Sequence, residues 1–331
     1  MLSSRFVISL AVLAAVCMSI SPAQQETVYM SVLNSRKHRL NALDNPTVGL
    51  FVSTDAGVSW HHKGWTGYIR TFYTESGSDG VIWSGCGNGV LRSSDGGISW
   101  RITTGWEVTE VLKVKVHPVK PSIVYAATAY GVFRTTDGGE TWSKRNTGFF
   151  KPFVSDIVID RSNSQRLFAA CEDGVYRSAD SGGRWRKVGL DGKGVRMIVQ
   201  HPSVSQILFA GTEDDGVFMT VDGGSSWKAA NEGLTHLTVY TIVCDPSNPE
   251  RIYLGTHGGG VYRSLNGGLH WQQINNGLTN LVVHSLAVLP SNPSIVVAGT
   301  LNGGLFRSTN GGDQWIFNSQ EEAQVWGLSV K

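Results

Sequence analysis

The chain has 331 residues, enough for one large domain, and its 28 Lys and Arg nearly balance 26 Asp and Glu. A formal charge of +2 gives no electrostatic footprint for nucleic acid or for an anionic membrane surface. Forty glycines beside 41 % hydrophobic residues describe a packed chain with frequent turns and exclude a disordered one.

The first element is a leader. Met1 to Ala23 carries a single basic residue, Arg5, then an apolar run from Phe6 to Ile20 and the small-residue end Ser21-Pro22-Ala23. That pattern predicts a secretory signal peptide over 1–23, a mature protein over 24–331, and a secreted or periplasmic location. Lipid attachment at Cys17 is the rival reading, but Ala14-Ala15-Val16 lacks the flanking residues it needs. No later segment approaches the ~18 apolar residues of a membrane span, so no transmembrane segment is expected. Removing the leader leaves Cys86, Cys171 and Cys244, one to a repeat. An odd, scattered set forms neither a disulfide framework nor a zinc ligand set, so these are expected to be small buried hydrophobes.

Beyond the leader one pattern recurs, Ser/Thr-x-Asp/Asn-x-Gly-x-x-Trp, from Ser53–Trp60 in the first repeat to Ser308–Trp315 in the last. Its acidic or amide position falls at Asp55, Asp95, Asp137, Asp180, Asp222, Asn266 and Asn310, at steps of 40, 42, 43, 42, 44 and 44. Each motif sits in a unit of four short strands. In the sixth unit these are Tyr240–Cys244, Arg251–Gly255, Gly259–Ser264 and His270–Ile274, with the turn Asp245-Pro246-Ser247-Asn248-Pro249 after the first. Four strands in about 42 residues make a propeller blade, and a lone blade cannot bury its faces, so seven must stack around an axis. The expected fold is therefore all-β, a seven-bladed β-propeller of four-stranded antiparallel blades. The first repeat has strands at Val28–Met30, Gly49–Ser53 and Ser59–Lys63 but no innermost strand, and a spare apolar segment, Gln324–Val330, follows the seventh motif. Pairing that C-terminal strand into the first blade closes the ring and leaves no open edge.

The motif falls on the hairpin between third and fourth strands. Its Ser/Thr and Asp/Asn accept hydrogen bonds from turn amides, its Gly permits positive φ, and its Trp is expected to pack between blades. Recurrence in every blade, with Asn replacing Asp twice, marks a structural role for Asp55, Asp95, Asp137, Asp180, Asp222, Asn266 and Asn310. The Arg before the motif, at Arg92, Arg134, Arg177, Arg263 and Arg307, recurs around the ring and is expected to make hydrogen bonds on the blade surface.

On these motifs the chain, over residues 28–330, resembles the Asp-box (BNR-repeat) propellers of sialidases, two-propeller xyloglucanases, the sortilin receptor domain and photosystem II assembly factors. The phrase IYLGTHGGGVYRSLNGG, Ile252–Gly268, is similar in style to the sortilin and xyloglucanase type. The resemblance specifies fold far more than function. Sialidases of the group carry an Arg-Ile-Pro motif that is absent here, and the xyloglucanases place their catalytic carboxylates between two propellers where this chain has one. Both departures weigh against glycosidase activity.

Function is expected on the face opposite the Asp boxes, built by fourth-to-first and second-to-third strand connections, where the repeats disagree. The residues opening the innermost strands read Val111, Ser155, Arg196, Tyr240, His284 and Trp326. Trp65, Trp106, Tyr130, Phe149, Phe150, His236 and His257 are assigned to the same face, with Arg70, Glu107, Glu172, Asp173, Glu213 and Asp214 among them. Aromatic rings interleaved with hydrogen-bonding groups suit a sugar or a peptide. The ligand-binding set predicted is Arg70, Trp106, Glu107, Tyr130, Arg196, Glu213, Asp214, Tyr240, His257, His284 and Trp326. A first-blade insertion, Asn34–Val48, with Arg36-Lys37-His38-Arg39, should overhang this face. Adjacent Glu213 and Asp214 would not straddle a glycosidic bond, and His236, His257 and His284 have no fixed metal-ligand spacing. The reading is an exported, monomeric binding propeller for a protein segment or glycan, with no catalytic residue, cofactor or metal, and a glycoside hydrolase as the alternative.

Overall fold

The computed structural model describes residues 26–36, 47–63 and 70–331, and in them the chain forms seven four-stranded antiparallel sheets. The expected leader with Cys17, the residues Lys37–Arg39 of the insertion, and Trp65 lie outside the described residues. Innermost strands of blades 2 to 7 are Thr71–Ser76, Val111–Val116, Val154–Ile159, Val195–Gln200, Val239–Cys244 and Val283–Val288. Burial falls from the middle of each blade to its rim. Second strands such as Leu167–Cys171 and Ile252–Thr256 are buried throughout, because a neighbouring blade covers each face. Their continuous apolar runs follow from that two-sided burial. The outer strand is only two residues long in five of the seven blades, which leaves little free edge at the rim.

Blade 1 is assembled from both ends of the chain. The strand Ala323–Val330 takes its innermost place beside Val28–Ser35, with Val28 opposite Val330, Met30 opposite Leu328 and Val32 opposite Val325. Thr27 and Lys331 exchange two backbone hydrogen bonds of 2.9 Å at the end of this ladder. Both latch strands are buried against blade 7 through Leu289, Val297 and Leu305. The first-blade strand runs five residues past the expected end at Met30, since Asn34 and Ser35 still find partners in Gln324 and Ala323. Blade 1 thus carries its ladder further toward the face opposite the Asp boxes, and the insertion leaves from that end.

Each Asp box is a self-satisfied turn. Ser93 Oγ donates to Asp95 at 2.8 Å and accepts from the Gly97 amide at 2.8 Å, while the Asp95 carboxylate accepts from the amides of Ile98 and Ser99. The Ser59 hydroxyl, with the turn amides, holds the Asp55 carboxyl down to about 2, and Ser99, Thr141 and Ser226 hold those of Asp95, Asp137 and Asp222 well below the usual carboxylate range. Asn266 and Asn310 make the same turn without charge. The motif Trp bonds to the preceding blade: Trp185, Trp271 and Trp315 are fully buried and donate to the carbonyls of Arg145, Ala230 and Ile274 at 2.8, 2.8 and 2.7 Å. Trp100 departs from this, turning its Nε1 to Gly97 of its own box, and the Trp227 Nε1 has no partner.

The recurrent Arg also ties blades together. Arg177, Arg263 and Arg307 donate to Gly223, Gly311 and Ala56, carbonyls in the Asp box of the next blade. Arg92 and Arg134 lie instead over the rings of Trp83 and Tyr125 in their own blades. The three cysteines are unpaired; Cys86 and Cys171 are buried, and burial pushes the Cys86 thiol up to about 11 and that of Cys244 to about 12.

Candidate functional site

Every innermost strand carries a β-bulge. The pairing register slips between Thr71 and Tyr73, Val111 and Lys113, Val154 and Asp156, Val195 and Met197, Val239 and Thr241, Val283 and Ser285, and at Trp326 in the latch strand. A bulge adds one residue to one strand and re-aims its side chain. The added residues are Phe72, Leu112, Ser155, Arg196, Tyr240, His284 and Trp326, and all seven line a cavity of about 660 Å³ on the propeller axis.

This ring corrects the sequence alignment at two blades. Val111 was placed in it, but Val111 is fully buried among Val108, Val114 and Val124, and the residue beside it, Leu112, occupies the bulge. Phe72 of blade 2 was missed. The signal that finds Leu112 is a valine followed three residues later by another apolar residue, as in Val111-x-x-Val114, Val239-x-x-Ile242 and Val325-x-x-Leu328. Blade 2 hides it by using Thr71 and Thr74 at those positions.

The ring is chemically lopsided. On blades 6, 7, 1 and 2 it is an aromatic arc: Tyr240 to His284 is 4.8 Å between centroids, His284 to Trp326 is 3.9 Å, and Trp326 to Phe72 is 5.7 Å. His257 meets the edge of Tyr240 at 5.9 Å. Blades 3, 4 and 5 complete it with Leu112, Ser155 and Arg196. Ser155 Oγ bonds to the Val195 carbonyl at 2.9 Å, and the Arg196 guanidinium pairs with Glu213. Deeper in the channel Lys113 lies 3.6 Å above the Tyr73 ring and 3.6 Å from Asp156, and Lys115 is 3.0 Å from Glu75. Burial pulls the Lys115 ammonium down, but Glu75 and Tyr73 outweigh it and the net shift is upward.

His284 is the best-defined member. Its Nδ1 lies 3.0 Å from the Trp326 carbonyl, which only accepts, so Nδ1 carries the proton and Nε2 is an acceptor. Burial between two rings pushes its pKa down to about 4, against a weaker upward pull from the Trp326 carbonyl, so the ring is neutral at pH 7. Burial likewise pushes the Tyr240 hydroxyl up.

The other predicted residues fall outside this ring. Arg70 is exposed and 2.6 Å from Glu110, and Glu213 is held by Arg196. Trp106 and Glu107 project from the connection between blades 2 and 3, Tyr130 from a hairpin of blade 3, and Asp214 from a hairpin of blade 5. Two further assignments change. Phe149 is packed on Trp185, 4.9 Å between centroids, and Asp173 is buried against Tyr176 and Lys187. The three histidines do not converge: His236 faces the Tyr262 hydroxyl at 3.2 Å while His284 is committed to the aromatic arc, and among the described residues no three His, Cys, Asp or Glu side chains group as metal ligands.

The repeat model described as BNR/Asp-box repeat matches residues 133–144, within blade 3. No curated protein sequence matches the chain. Among solved structures it is similar to an ancestral GH74 enzyme, at 25 % identity and TM-score 0.55, covering 62 % of this chain and 31 % of that one. It is similar to YCF48 bound to D1 peptide, at 18 % identity and TM-score 0.60, covering 78 % of this chain and 92 % of that one. A third is the extracellular domain of the putative hybrid two component system BT4673 from B. thetaiotaomicron, at 16 % identity and TM-score 0.65, covering 86 % and 38 %. The chain spans about a third of the GH74 enzyme's length. The seven boxes, the closed ring and the matched repeat define a seven-bladed Asp-box propeller. No helix among the described residues is long and apolar enough to cross a membrane.

Proposed function

We propose that this chain is an exported, monomeric, non-catalytic binding propeller that takes a protein segment or a glycan at the channel mouth on the face opposite its Asp boxes. One observation carries the reading: seven repeat-equivalent bulge positions hold unlike side chains, and four of them form a continuous arc of aromatic rings over an axial cavity. Packing in a repeated fold demands the same residue type at the same place in every blade, whereas recognition of an asymmetric ligand demands different ones. Tyr240, His284 and Trp326 supply flat apolar area, His284 Nε2 an acceptor within the arc, and Ser155 and Arg196 polar groups on the other side. The fold is one on which YCF48 holds a D1 peptide. Residues 1–23 serve as the signal peptide.

Six carboxylates near this face are engaged by cations, which weighs against hydrolysis. Glu110, Glu172, Asp173, Asp191, Glu213 and Asp215 are each held by a cation: Arg70, Lys151, Lys187, Lys187 again, Arg196 and Lys193. A glycosidase needs two carboxyl groups free to flank the sugar ring, and these six are tied to cations instead.

The test is binding to a glycan array and to a peptide array by the wild-type protein and by Arg196→Ala/Tyr240→Ala. The reading expects a ligand retained by the wild type and lost by the variant at unchanged melting temperature. Release of product from a polysaccharide, abolished by substituting one carboxylate of this face, overturns it.

A further inference from the structure

Outside the channel mouth, the connection between blades 2 and 3 breaks the repeat in an informative way. In three other connections an Asn caps the third strand, Asn146, Asn231 and Asn275, accepting from the amides of Val132, Val217 and Val261 at 2.9, 2.7 and 2.8 Å. Each is followed by a Gly at positive φ, Gly148, Gly233 or Gly277, and then by an apolar plug, Phe149, Leu234 or Leu278, that packs into the core around the next blade's motif Trp. Thr104 is the equivalent cap, bonding to the Val90 amide at 3.1 Å. Thr104 and Val111 are seven positions apart, where Asn146 and Val154, or Asn231 and Val239, are eight apart.

That missing residue changes which side chain fills the core. Val108, fully buried among Trp83, Val90 and Val111, becomes the plug. Trp106 is released to solvent and is 91 % exposed. It has no packing duty that would explain a tryptophan there. Its neighbours show the same excess. Phe150, 82 % exposed, stands where the other connections have Thr235 and Thr279, and Tyr130, 52 % exposed, tops the intervening hairpin. Hydrogen bonds tie the three segments together: Ala129 N donates to the Glu110 carbonyl at 3.2 Å and Asn146 Nδ2 to the Tyr130 carbonyl at 2.8 Å, while Phe150 N is held by the Tyr176 hydroxyl of blade 4 at 3.3 Å.

We infer that Trp106, Tyr130 and Phe150 form a stacking platform for an uncharged polysaccharide, separate from the channel mouth. The apolar C–H face of a pyranose packs flat on an aromatic ring while its hydroxyls reach polar groups at the ring's edge. The surroundings fit a neutral polymer. Arg70 is paired with Glu110 and Lys151 with Glu172, so little unpaired charge is offered to an ionic one. Glu107, next to Trp106 in the chain, offers a hydrogen-bond acceptor to hydroxyls. A protein partner that pairs through its backbone fits less well, because the amides of Ala129 and Phe150 are already bonded within the protein. The inference shares the face of the proposed binding function but does not need the mouth to be occupied.

The experiment is native gel electrophoresis of the full-length protein through gels holding hydroxyethylcellulose, xyloglucan, galactomannan or laminarin, with polygalacturonate as the charged comparison. The variants are Trp106→Ala, Trp106→Ala/Tyr130→Ala/Phe150→Ala, and Arg196→Ala/Tyr240→Ala at the mouth. At least one neutral polymer is expected to retard the wild type, and Trp106→Ala to weaken that binding about tenfold or more. Because Val108 fills the core, the melting temperature should not move. The mouth variant should still bind; if it alone loses the polysaccharide, the platform fails and the mouth reading stands. No retardation by any neutral polymer, retardation by polygalacturonate alone, retardation kept by the triple variant, or a protein ligand lost from the triple variant in the absence of polysaccharide binding each overturns the inference.

Discussion

The His284 ring lies 3.9 Å from the indole of Trp326, centroid to centroid, and its Nδ1 donates to the carbonyl of that same residue at 3.0 Å. Trp326 belongs to the strand that closes the ring, so one residue of blade 7 touches both the site and the latch.

His284 should make folding sensitive to mild acid. Its folded pKa of about 4 lies below the ordinary histidine value, so between that ordinary value and about 4 the unfolded chain binds the proton first. The stabilisation from its neutral form is whole above the ordinary value and is lost as pH falls toward 4, about 3 kcal/mol at the low end. Arg196 across the mouth adds to the disfavour of a second positive charge. Replacing His284 with Phe keeps a ring between Tyr240 and Trp326 and removes the titration. Thermal unfolding from pH 4 to 7 should show the wild type losing stability on acidification and the variant losing less; equal slopes would sink the assignment.

The latch makes a second prediction. Truncation after Gln320 removes the innermost strand of blade 1 and exposes the long edge Val28–Ser35, the buried side chains of blade 7 around Leu289, and half of the aromatic arc. The truncated chain should melt lower and self-associate through that edge, which size-exclusion chromatography would register. A monomer with an unchanged melting temperature would show that closure matters little.

What could be read from the sequence divides along physical lines. Blade number, strand order and the latch were legible because seven boxes and a spare apolar strand leave one way to bury every face. The site was half legible. Arg196, Tyr240, His284 and Trp326 stand out because repeats expose any position that differs. Leu112 and Phe72 were lost because a bulge shifts phase by one residue, and a one-residue error puts a channel side chain into the core. Phe149 and Trp106 show the same limit. Each follows a glycine in its connection, yet one is buried and the other free, and only the count of residues between Thr104 and Val111 decides it.

The motif tryptophans are not equivalent. Trp271 is fully buried and bonds to the Ala230 carbonyl of the preceding blade, so Trp271→Ala should cost about 3–5 kcal/mol. Trp100 is half-buried and bonds within its own box. Trp100→Ala should cost clearly less in urea denaturation, and equal losses would contradict the inter-blade account.

Asp and Asn are not scattered among the boxes at random. Asp55, Asp95, Asp137 and Asp222 each have a hydroxyl residue four positions on, Ser59, Ser99, Thr141 and Ser226, which donates to the second carboxylate oxygen at 2.5 or 2.6 Å. Asn266 and Asn310 are followed at that distance by His270 and Gln314, whose amides donate to the single side-chain oxygen. Asp180 is the exception. Arg184 stands four residues on and gives it an amide but no side-chain bond, so its second oxygen lacks the hydroxyl partner found in the other Asp boxes. An amide loses little where only the first oxygen is used, and it loses an acceptor where a hydroxyl donates to the second. Asp180→Asn should therefore leave the melting temperature at pH 7 close to the wild type, and Asp137→Asn should lower it. Replacing Thr141 with Val beforehand should remove most of the Asp137→Asn penalty, because the hydroxyl that needed the second oxygen is gone. If Asp180→Asn and Asp137→Asn lower the melting temperature equally, the carboxylate matters through its charge and not through that hydroxyl.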